Sequence, residues 1–288
     1  MSKIEFARPT SVESAVSLLA SREGSRYIAG GQTLVAMMNA GLIEAPVLIA
    51  LSGISELGTI TKQPTGAIRI GATVCHRDVA RSCALEGANA IVREAAQVIA
   101  HPAIRNLGTI GGALAHADPA ADQPIAIVAA GAQIESAGNN GRRLVPAEEF
   151  FLDYLTTVLE TGEMVTAVLL PPFNKRSFGH YLKFSRVDGD YAIVSVGVTL
   201  QVEGGVCIAA RVALGGCGSI PIFDAAANNK LVGTKCNDQN IAAAAKILVD
   251  LADPADDVRA SADYRRALIP KLLHRAIRHV WSHANGAK

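Results

Sequence analysis

The stretch RNLGTIGGALAHADPAADQP, Arg105–Pro124, joins a glycine-rich segment to two acidic residues, Asp118 and Asp122. A shorter stretch of the same kind, RYIAGGQTL, occupies Arg26–Leu34. In both stretches the glycines follow apolar or β-branched residues, a pattern typical of a strand that ends in a turn. Glycines at a strand end allow backbone N–H groups to face a ligand with no side chain in between. These two stretches are therefore either two separate turns or the two halves of one binding site.

Each glycine pair alone is more often a tight turn than a ligand site. Together, the two loops are able to surround a pyrophosphate, because clusters of N–H groups bind anions. Thr33 and Thr109 would add hydroxyl donors, and an ionised Asp122 would accept hydrogen bonds from sugar or ribityl hydroxyls. Neither loop has the G-x-G-x-x-G dinucleotide fingerprint, and the chain has no P-loop motif. The sequence thus disfavours a standard NAD domain and a P-loop kinase.

The composition argues against several other classes of protein. The 288 residues are 50% hydrophobic and 18% charged, which suits a folded protein of about two domains. The formal net charge of +1 does not indicate nucleic-acid binding. We expect no membrane span, because no segment reaches ~18 consecutive apolar residues, and no secretory signal. The five cysteines are odd in number and lack C-x-x-C spacing, which argues against a metal site and favours thiols in a reducing cytoplasm.

The hydrophobic pattern predicts the order of the elements. The segment from residue 4 to about residue 55 has a β-α-β-α-β pattern typical of a small parallel sheet, with Thr10 as the N-cap of its first helix. Residues 77–100 are predicted to be mostly one long helix. The stretch QVEGGVCIAARVAL, residues 201–214, predicts a β-hairpin that turns at its two glycines. The C-terminal part is predicted to be largely helical, after a linker near residues 171–172.

Four blocks of the chain, in this order, resemble one known family. They are AGGQTLVAMMNAGL (29–42), HPAIRNLGTIGGALAHADPAADQP (101–124), GEMVTAVLLP (162–171) and KFSRVDGDYAIVSVGVTL (183–200). They are similar to the FAD-binding medium subunit of the molybdenum hydroxylases, the family of xanthine oxidase, carbon monoxide dehydrogenase and quinoline oxidoreductase. The resemblance covers essentially the whole chain.

The resemblance implies an α+β fold. A FAD-binding domain of the vanillyl-alcohol-oxidase type, in two α/β subdomains, would precede a C-terminal domain with an antiparallel sheet and helices. We expect the first subdomain at residues 1–57, the second at 58–175 and the C-terminal domain at 176–288.

The resemblance also implies which residues contact FAD. Two pyrophosphate loops are expected, formed by Ala29, Gly30, Gly31, Gln32 and Thr33 and by Thr109, Ile110, Gly111, Gly112 and Ala113. Asp122 matches an acid that contacts the polyol chain of the flavin. Tyr191 and Ile99 match residues beside the isoalloxazine, and Lys183 is a candidate for phosphate or adenine contact.

For four residues beside these loops a simpler structural role stays open. Ile99 also lies on an apolar helix face, so core packing is slightly favoured for it. Tyr191 is either a flavin neighbour or an ordinary core tyrosine. His116 would approach the cofactor or lie in an exposed loop, and Asp118, before a proline, would form an Asx turn.

The functional class implied is an electron-transfer flavoprotein. The resemblance implies a heterotrimer, assembled as a dimer of trimers, with a small subunit carrying two [2Fe–2S] clusters and a large subunit carrying molybdopterin. Substrate, an N-heteroaromatic or related small molecule, would be hydroxylated at molybdenum, and electrons would pass through FAD to an external acceptor. We expect no catalytic acid, base or nucleophile here, because a flavin performs its own redox chemistry. The alternatives are a stand-alone FAD oxidoreductase and a scaffold subunit that has lost FAD.

Overall fold

The structure, a computed structural model, describes residues 4–286. Its first unit is the predicted β-α-β-α-β arrangement, which is confirmed. The elements are β1 (Glu5–Ala7), α1 (Val12–Ser21), β2 (Arg26–Ile28), α2 (Leu34–Asn39) and β3 (Val47–Ala50). Both β1 and β2 pair with β3 in parallel, in the order β1-β3-β2. The carboxyl end of β2 therefore leads directly into the first glycine loop.

The N-cap of α1 is Ser11, so the predicted cap at Thr10 is wrong by one residue. The Ser11 hydroxyl accepts a hydrogen bond from the N–H of Ser14, and the Ser14 hydroxyl accepts one from the N–H of Ser11. This reciprocal pair satisfies two N–H groups at the helix start, which Thr10 could not do from one position earlier.

The second unit surrounds a five-stranded antiparallel sheet in the order β4-β5-β10-β6-β7. Two single-turn 3₁₀ helices, Leu51–Gly53 and Ser55–Gly58, lead into it. Its elements are β4 (Ile60–Lys62), β5 (Ile68–Gly71), α3 (His76–Arg81), α4 (Ala90–Gln97), α5 (Pro102–Arg105), α6 (Ile110–His116), α7 (Asp122–Ala129), β6 (Gln133–Gly138), β7 (Gly141–Pro146), α8 (Ala147–Phe150), β8 (Phe151–Asp153), β9 (Thr156–Thr157) and β10 (Met164–Leu170). The short strands β8 and β9 form a separate hairpin.

The long helix predicted over residues 77–100 is broken into α3 and α4. Between them lies a connection that ends in a 3₁₀ turn, Gly87–Asn89. Gly87 has φ +56, and Leu85 is fully buried in the core. The chain therefore leaves the helical path at Ser82, because burial of Leu85 and the left-handed turn at Gly87 outweigh the local helical propensity.

The third unit is a four-stranded antiparallel sheet covered by helices. Its elements are β11 (Ser177–Phe184), β12 (Val194–Glu203), β13 (Val206–Gly215), β14 (Ile222–Phe223), α9 (Ala225–Asn229), α10 (Asp238–Leu251) and α11 (Ala262–Gly286). The predicted hairpin is confirmed, since β12 pairs with β13 and both turn glycines have positive φ, +56 at Gly204 and +74 at Gly205. The predicted C-terminal helices are also confirmed, and α11 packs against β12 and α10.

The helix α7 connects the second and third units. All eight of its residues are buried, and it packs against α4, β12 and β13. A helix that is buried on all sides belongs to the interior of a protein. Asp122, its first residue, is therefore held at the junction of two units.

The fold class is α+β, as predicted, with a parallel sheet followed by two larger antiparallel sheets and the small β8–β9 hairpin. We propose the ranges 1–57, 58–175 and 176–288 as the units that carry the three sheets. Within residues 4–286, no helix has the length and apolar character needed to cross a bilayer.

Candidate functional site

One cavity of about 840 Å³ lies between the three units. Twelve of the predicted contact residues line it: Ala29, Gly30, Gly31, Gln32, Thr33, Ile99, Thr109, Gly112, Ala113, Asp122, Lys183 and Tyr191. Its volume is in the upper part of the range usual for ligand sites, about 300–1,000 Å³. The structure thus brings both glycine loops and the acidic residue to a single place.

The first loop presents a group of free backbone donors. Gly31 has φ +71, a conformation that favours glycine, and the loop runs from β2 into α2. In the part of the chain that the structure describes, no protein acceptor meets the N–H groups of Gly31, Gln32 and Thr33. The Gln32 side chain itself donates to the carbonyl of Gly30, over 3.3 Å. Successive free N–H groups of this kind make an anion-binding concavity.

The two loops touch through backbone atoms at Gly30. A Cβ placed on Gly30 would overlap the carbonyl oxygen of Leu107 and lie 2.9 Å from the Cα of Gly108. Real Cβ atoms essentially never come so close to backbone. The residue at position 30 must therefore be glycine if the first loop is to lie against the segment that begins the second.

The second loop leads into α6, and its two glycines, Gly111 and Gly112, have different structural roles. Thr109 is the N-cap, and its hydroxyl accepts from the N–H of Gly112 over 3.1 Å. The N–H groups of Ile110 and Gly111 donate to Val74 and Ala72.

Ile110 and Gly111 are therefore the two predicted contact residues that the cavity lining does not include. Ile110 is fully buried in the core, and a Cβ on Gly111 would lie 2.5 to 2.8 Å from three atoms of Ala72. The structure gives Gly111 a packing role beneath the loop, because its backbone rests on the chain that follows β5.

Asp122 forms the centre of a buried polar group. Its Oδ1 accepts from the hydroxyl of Tyr181 over 2.7 Å, and its Oδ2 lies 3.1 Å from Nζ of Lys183. Lys183 Nζ also donates to the carbonyl of Val98, over 3.0 Å. Burial raises the pKa of Asp122, whereas Lys183 and Tyr181 act in the opposite direction. Nζ of Lys183 is thus already paired, an arrangement that does not favour the predicted phosphate or adenine contact.

Tyr191 and Ile99 both face the cavity, and neither belongs to a core cluster. Tyr191 is 44% exposed, so the alternative of an ordinary core tyrosine is wrong. The guanidinium of Arg259 lies 5.1 Å from its ring centroid, which orients the ring from outside. Ile99 lies two residues beyond the end of α4, where the predicted helix face no longer continues.

His116 and Asp118 also line the cavity. The Asx turn predicted at Asp118 is confirmed, since its Oδ1 accepts from the N–H of Ala120 over 2.8 Å. This turn directs the chain from α6 towards α7, and Asp122 at the start of α7 therefore lies at the cavity.

The lining also includes polar side chains that were not predicted from the sequence, among them those of Tyr27, His76 and Gln123. Burial raises the pKa of Tyr27 to about 12, and its hydroxyl donates to the carbonyl of Gly162. Gln123 is fully buried, and its Oε1 has no partner among the described residues. His76 follows the strand β5 by a few residues, and this position after a strand end is the signal in the sequence that could have identified it.

Comparison with known proteins gives matches along almost the whole chain. Residues 2–173 match the family described as the FAD binding domain in molybdopterin dehydrogenase, and residues 179–280 match the CO dehydrogenase flavoprotein C-terminal domain. The chain is 36% identical over 276 residues to the 6-hydroxypseudooxynicotine dehydrogenase complex subunit alpha of Paenarthrobacter nicotinovorans, which covers 95% of this chain and 93% of that protein.

Solved structures agree with this likeness. A chain of carbon monoxide dehydrogenase from Hydrogenophaga pseudoflava superposes with a TM-score of 0.93 at 33% identity, over 97% of this chain and 98% of that one. A chain of quinoline 2-oxidoreductase from Pseudomonas putida 86 superposes with a TM-score of 0.91 at 32% identity, over 98% of both chains.

Proposed function

Because the chain belongs to the family of FAD-binding domains in molybdopterin dehydrogenases, we propose that it is the FAD-binding electron-transfer subunit of a molybdenum hydroxylase. The observation that carries the proposal is the single cavity onto which both glycine loops open. A family match alone would be compatible with a chain that has lost its cofactor. The preserved close approach at Gly30 and the free N–H groups beside it argue against that loss.

The residues present suit FAD. The cofactor carries two negative phosphates, and the N–H groups of Gly31, Gln32 and Thr33 supply donors that have no protein acceptor among residues 4–286. The Asp122 carboxylate has about four acceptor positions, of which Tyr181 and Lys183 use two. Asp122 would therefore still accept hydrogen bonds from polyol hydroxyls while remaining neutralised by Lys183.

The protein's own contribution would be binding, orientation and control of access. The first loop would hold the pyrophosphate, and Thr109, Gly112 and Ala113 would form its second wall. Tyr191 and Ile99 would border the isoalloxazine, and the exposed Tyr191 would limit the entry of water and oxidants at the mouth of the cavity. A rigid, partly dry site of this kind fixes the environment that tunes a redox cofactor.

We further propose the assembly expected for this family. A small chain with two [2Fe–2S] clusters and a large chain with molybdopterin would join this one, in a dimer of heterotrimers. When bound, FAD would supply the electron-transfer chemistry, accepting electrons from the clusters and passing them to an external acceptor. Support comes from relatives named as a dehydrogenase complex subunit and as carbon monoxide dehydrogenase medium chains.

The substrate of the complex would be an N-heteroaromatic or related small molecule, converted in the large chain. The relatives include a nicotine 6-hydroxylase medium subunit and a chain of quinoline 2-oxidoreductase, both named for heteroaromatic compounds. All five cysteines of the described chain are free thiols, which supports a cytoplasmic location.

The test uses the purified chain alone and then with its two partner chains. The protein should carry a flavin spectrum, and the released cofactor should be FAD and not FMN. Substrate should reduce this flavin only when both partners are present. Reduction by a small alcohol or amine in the isolated chain would instead show a stand-alone oxidoreductase, and a colourless chain that cannot be loaded with FAD would show a scaffold.

A further inference from the structure

His76 is a buried histidine at the wall of the cavity. It is the first residue of α3, and its side chain is 5% exposed, yet it belongs to the cavity lining. Its N–H donates to the carbonyl of Gly108 over 2.9 Å, and the preceding Cys75 pairs with Thr109 in an isolated antiparallel bridge. The backbone of His76 is therefore attached to the segment that begins the second loop.

The imidazole of His76 lies at the point where the two loops meet. A Cβ on Gly108 would lie 3.1 Å from its Cδ2 and 3.6 Å from its Nε2. On the other side, Gly108 Cα would lie 2.9 Å from a Cβ on Gly30. Gly108 is thus enclosed between the first loop and the His76 ring, and His76 lines the same cavity as the free N–H groups of the first loop.

The two ring nitrogens of His76 differ in their surroundings. Nδ1 is completely enclosed and has no hydrogen-bond partner among the described residues. Nε2 also has no protein partner within residues 4–286, but it is not completely enclosed. Since buried polar groups in proteins are almost always hydrogen-bonded, an unpaired buried imidazole indicates a missing partner. The cavity is the place where Nε2 can meet one.

The ring is neutral in the protein alone. Burial, together with the nearby positive charge of Arg105, lowers the pKa of His76 from 6.5 to about 4. Arg105 itself donates to the carbonyls of Ile99 and Ala100, so its position is fixed. A neutral imidazole has one N–H, and the tautomer follows the hydrogen bond that is available. An acceptor in the cavity therefore selects the Nε2–H tautomer.

We propose that His76 is a binding residue for the pyrophosphate of FAD, to which it donates its Nε2–H. The inference rests on the proposed function, because it needs FAD in this cavity. The pyrophosphate is favoured over the flavin ring because the imidazole contacts Gly108, between the two loops, whereas Tyr191 and Asp122 are supplied by other segments. A phosphate oxygen is also the strongest acceptor that FAD offers to a neutral donor.

The test compares ligands as well as variants, in the full-length chain freed of FAD. His76→Phe keeps a flat aromatic ring, somewhat larger than the imidazole, and removes both nitrogens, whereas His76→Gln retains an N–H donor close to the position of Nε2. We expect His76→Phe to weaken binding of FAD and of ADP, which contains the diphosphate without the flavin, by similar factors of about 10 to 100. We expect His76→Gln to recover most of the affinity. His274→Phe, at an exposed position of α11 where the ring is paired with Asp238, is the matched control.

The stability of the FAD-free variants provides a further readout. Because Nδ1 is buried and unpaired, His76→Phe should leave the melting temperature of the FAD-free chain unchanged or raise it. Weaker binding would then not reflect a damaged fold. When ADP is added to the FAD-free wild-type chain, ¹⁵N spectra should show the Nε2–H tautomer of His76 and a shift of the Nε2 signal, and this measurement requires no variant.

Loss of FAD affinity with unchanged ADP affinity would assign His76 to the flavin half and overturn the inference, as would an Nε2 signal that ADP does not shift. Wild-type affinity of His76→Phe for both ligands would also overturn it while leaving the proposed function intact. A wild-type chain that binds neither ligand would remove the proposed function and the inference together.

Discussion

Gly30 and Gly111 both lie where a Cβ would overlap neighbouring atoms, but they make their close contacts at different surfaces. Gly30 allows the first loop to touch the backbone of Leu107 and Gly108, at the wall of the cavity. Gly111 allows α6 to rest on Ala72, away from the lining. In the sequence the two positions look alike, because each belongs to a Gly-Gly pair after an apolar residue. Which backbone lies opposite each glycine is visible only once the chain has folded.

We predict that Gly30→Ala abolishes FAD binding. The added Cβ would overlap the Leu107 carbonyl, so the two glycine loops would have to move apart. The pyrophosphate site that they form together would then be lost. Spectroscopic titration with FAD measures the loss. Gly58→Ala is the control, since its Cβ would meet only Thr73 Oγ1 at 3.7 Å, an ordinary contact. Unchanged FAD affinity in Gly30→Ala would refute the assignment of this loop.

We predict that His76 makes the FAD-free chain less stable in mild acid. Its pKa is about 4 in the folded chain and 6.5 when unperturbed, so the unfolded state binds more protons between these values. The free energy of unfolding should therefore fall as the pH is lowered from 7 to 4, with no further contribution from His76 below pH 4. The full effect is about 3 kcal/mol.

Urea unfolding at several pH values measures this dependence. His76→Phe is the reference, because carboxylates that titrate in the same range contribute equally to both proteins. The difference in unfolding free energy between the two proteins should grow as the pH falls. Parallel pH profiles would show that His76 is not held neutral.

At the scale of elements, β11 contributes directly to the cavity although it belongs to the third unit. Two of its residues, Tyr181 and Lys183, point to the same side of the strand, as residues two apart do, and both meet Asp122 at the start of α7. The ion pair is nearly dry, with side-chain exposures of 6% for Lys183 and 7% for Asp122. This pair joins a strand of one unit to a helix of another.

We predict that Lys183→Met destabilises the chain by about 3–5 kcal/mol, because it leaves a buried carboxylate without its counter-charge. Asp122→Asn combined with Lys183→Met should cost less than the sum of the two single substitutions, since the double variant has no unpaired charge. Denaturant unfolding provides the values, with Lys175→Met as the exposed control. A double variant whose loss equals the sum would show that the two side chains are not coupled.

Other elements show where local pattern is sufficient and where it fails. The β12–β13 hairpin was predictable because its two turn glycines and the flanking alternation are adjacent in sequence. The break between α3 and α4 was not, because it depends on a core position for Leu85 that only the packed protein provides. The N-cap of α1 was displaced by one residue for a local reason, since Ser11 and Ser14, three residues apart, form a reciprocal pair.

At the scale of the whole molecule, the cavity draws on all three units: Gly31 comes from the first, Thr109 from the second and Tyr191 from the third. A ligand that touches all three should stabilise them together. We predict that FAD at 100 times its dissociation constant stabilises the chain by about 2.7 kcal/mol. The melting temperature should then rise by about 4–5 °C, because an unfolding entropy of ~2.1 cal/mol/K per residue amounts to ~0.6 kcal/mol/K for 288 residues.

Differential scanning calorimetry with FAD and with riboflavin tests this prediction. Riboflavin has the ring and polyol but no phosphate, so it should give a smaller shift at equal concentration. If bound FAD raised only one of several separate transitions, the cofactor would not connect the units, and the assignment of the cavity between them would be incorrect.

The sequence alone determined the order of the elements in the first unit, the C-terminal hairpin and helices, and the two glycine loops as a pair of candidate anion sites. These features depend on residues close together in the chain, where periodicity and turn chemistry act. Resemblance to a family added the fold and FAD. Local pattern also sufficed for the Asx turn at Asp118, because donor and acceptor are two residues apart.

Only the tertiary structure decided which residues face the cavity. It separated Gly111 from Gly112, removed Ile110 from the lining, paired Lys183 with Asp122, and placed His76 behind Gly108 with an unpaired nitrogen. Each of these outcomes depends on contacts between residues distant in the chain, 61 positions apart for the ion pair. The physical reason is that burial and pairing are properties of the assembled interior, where a polar group must find its partner or remain without one.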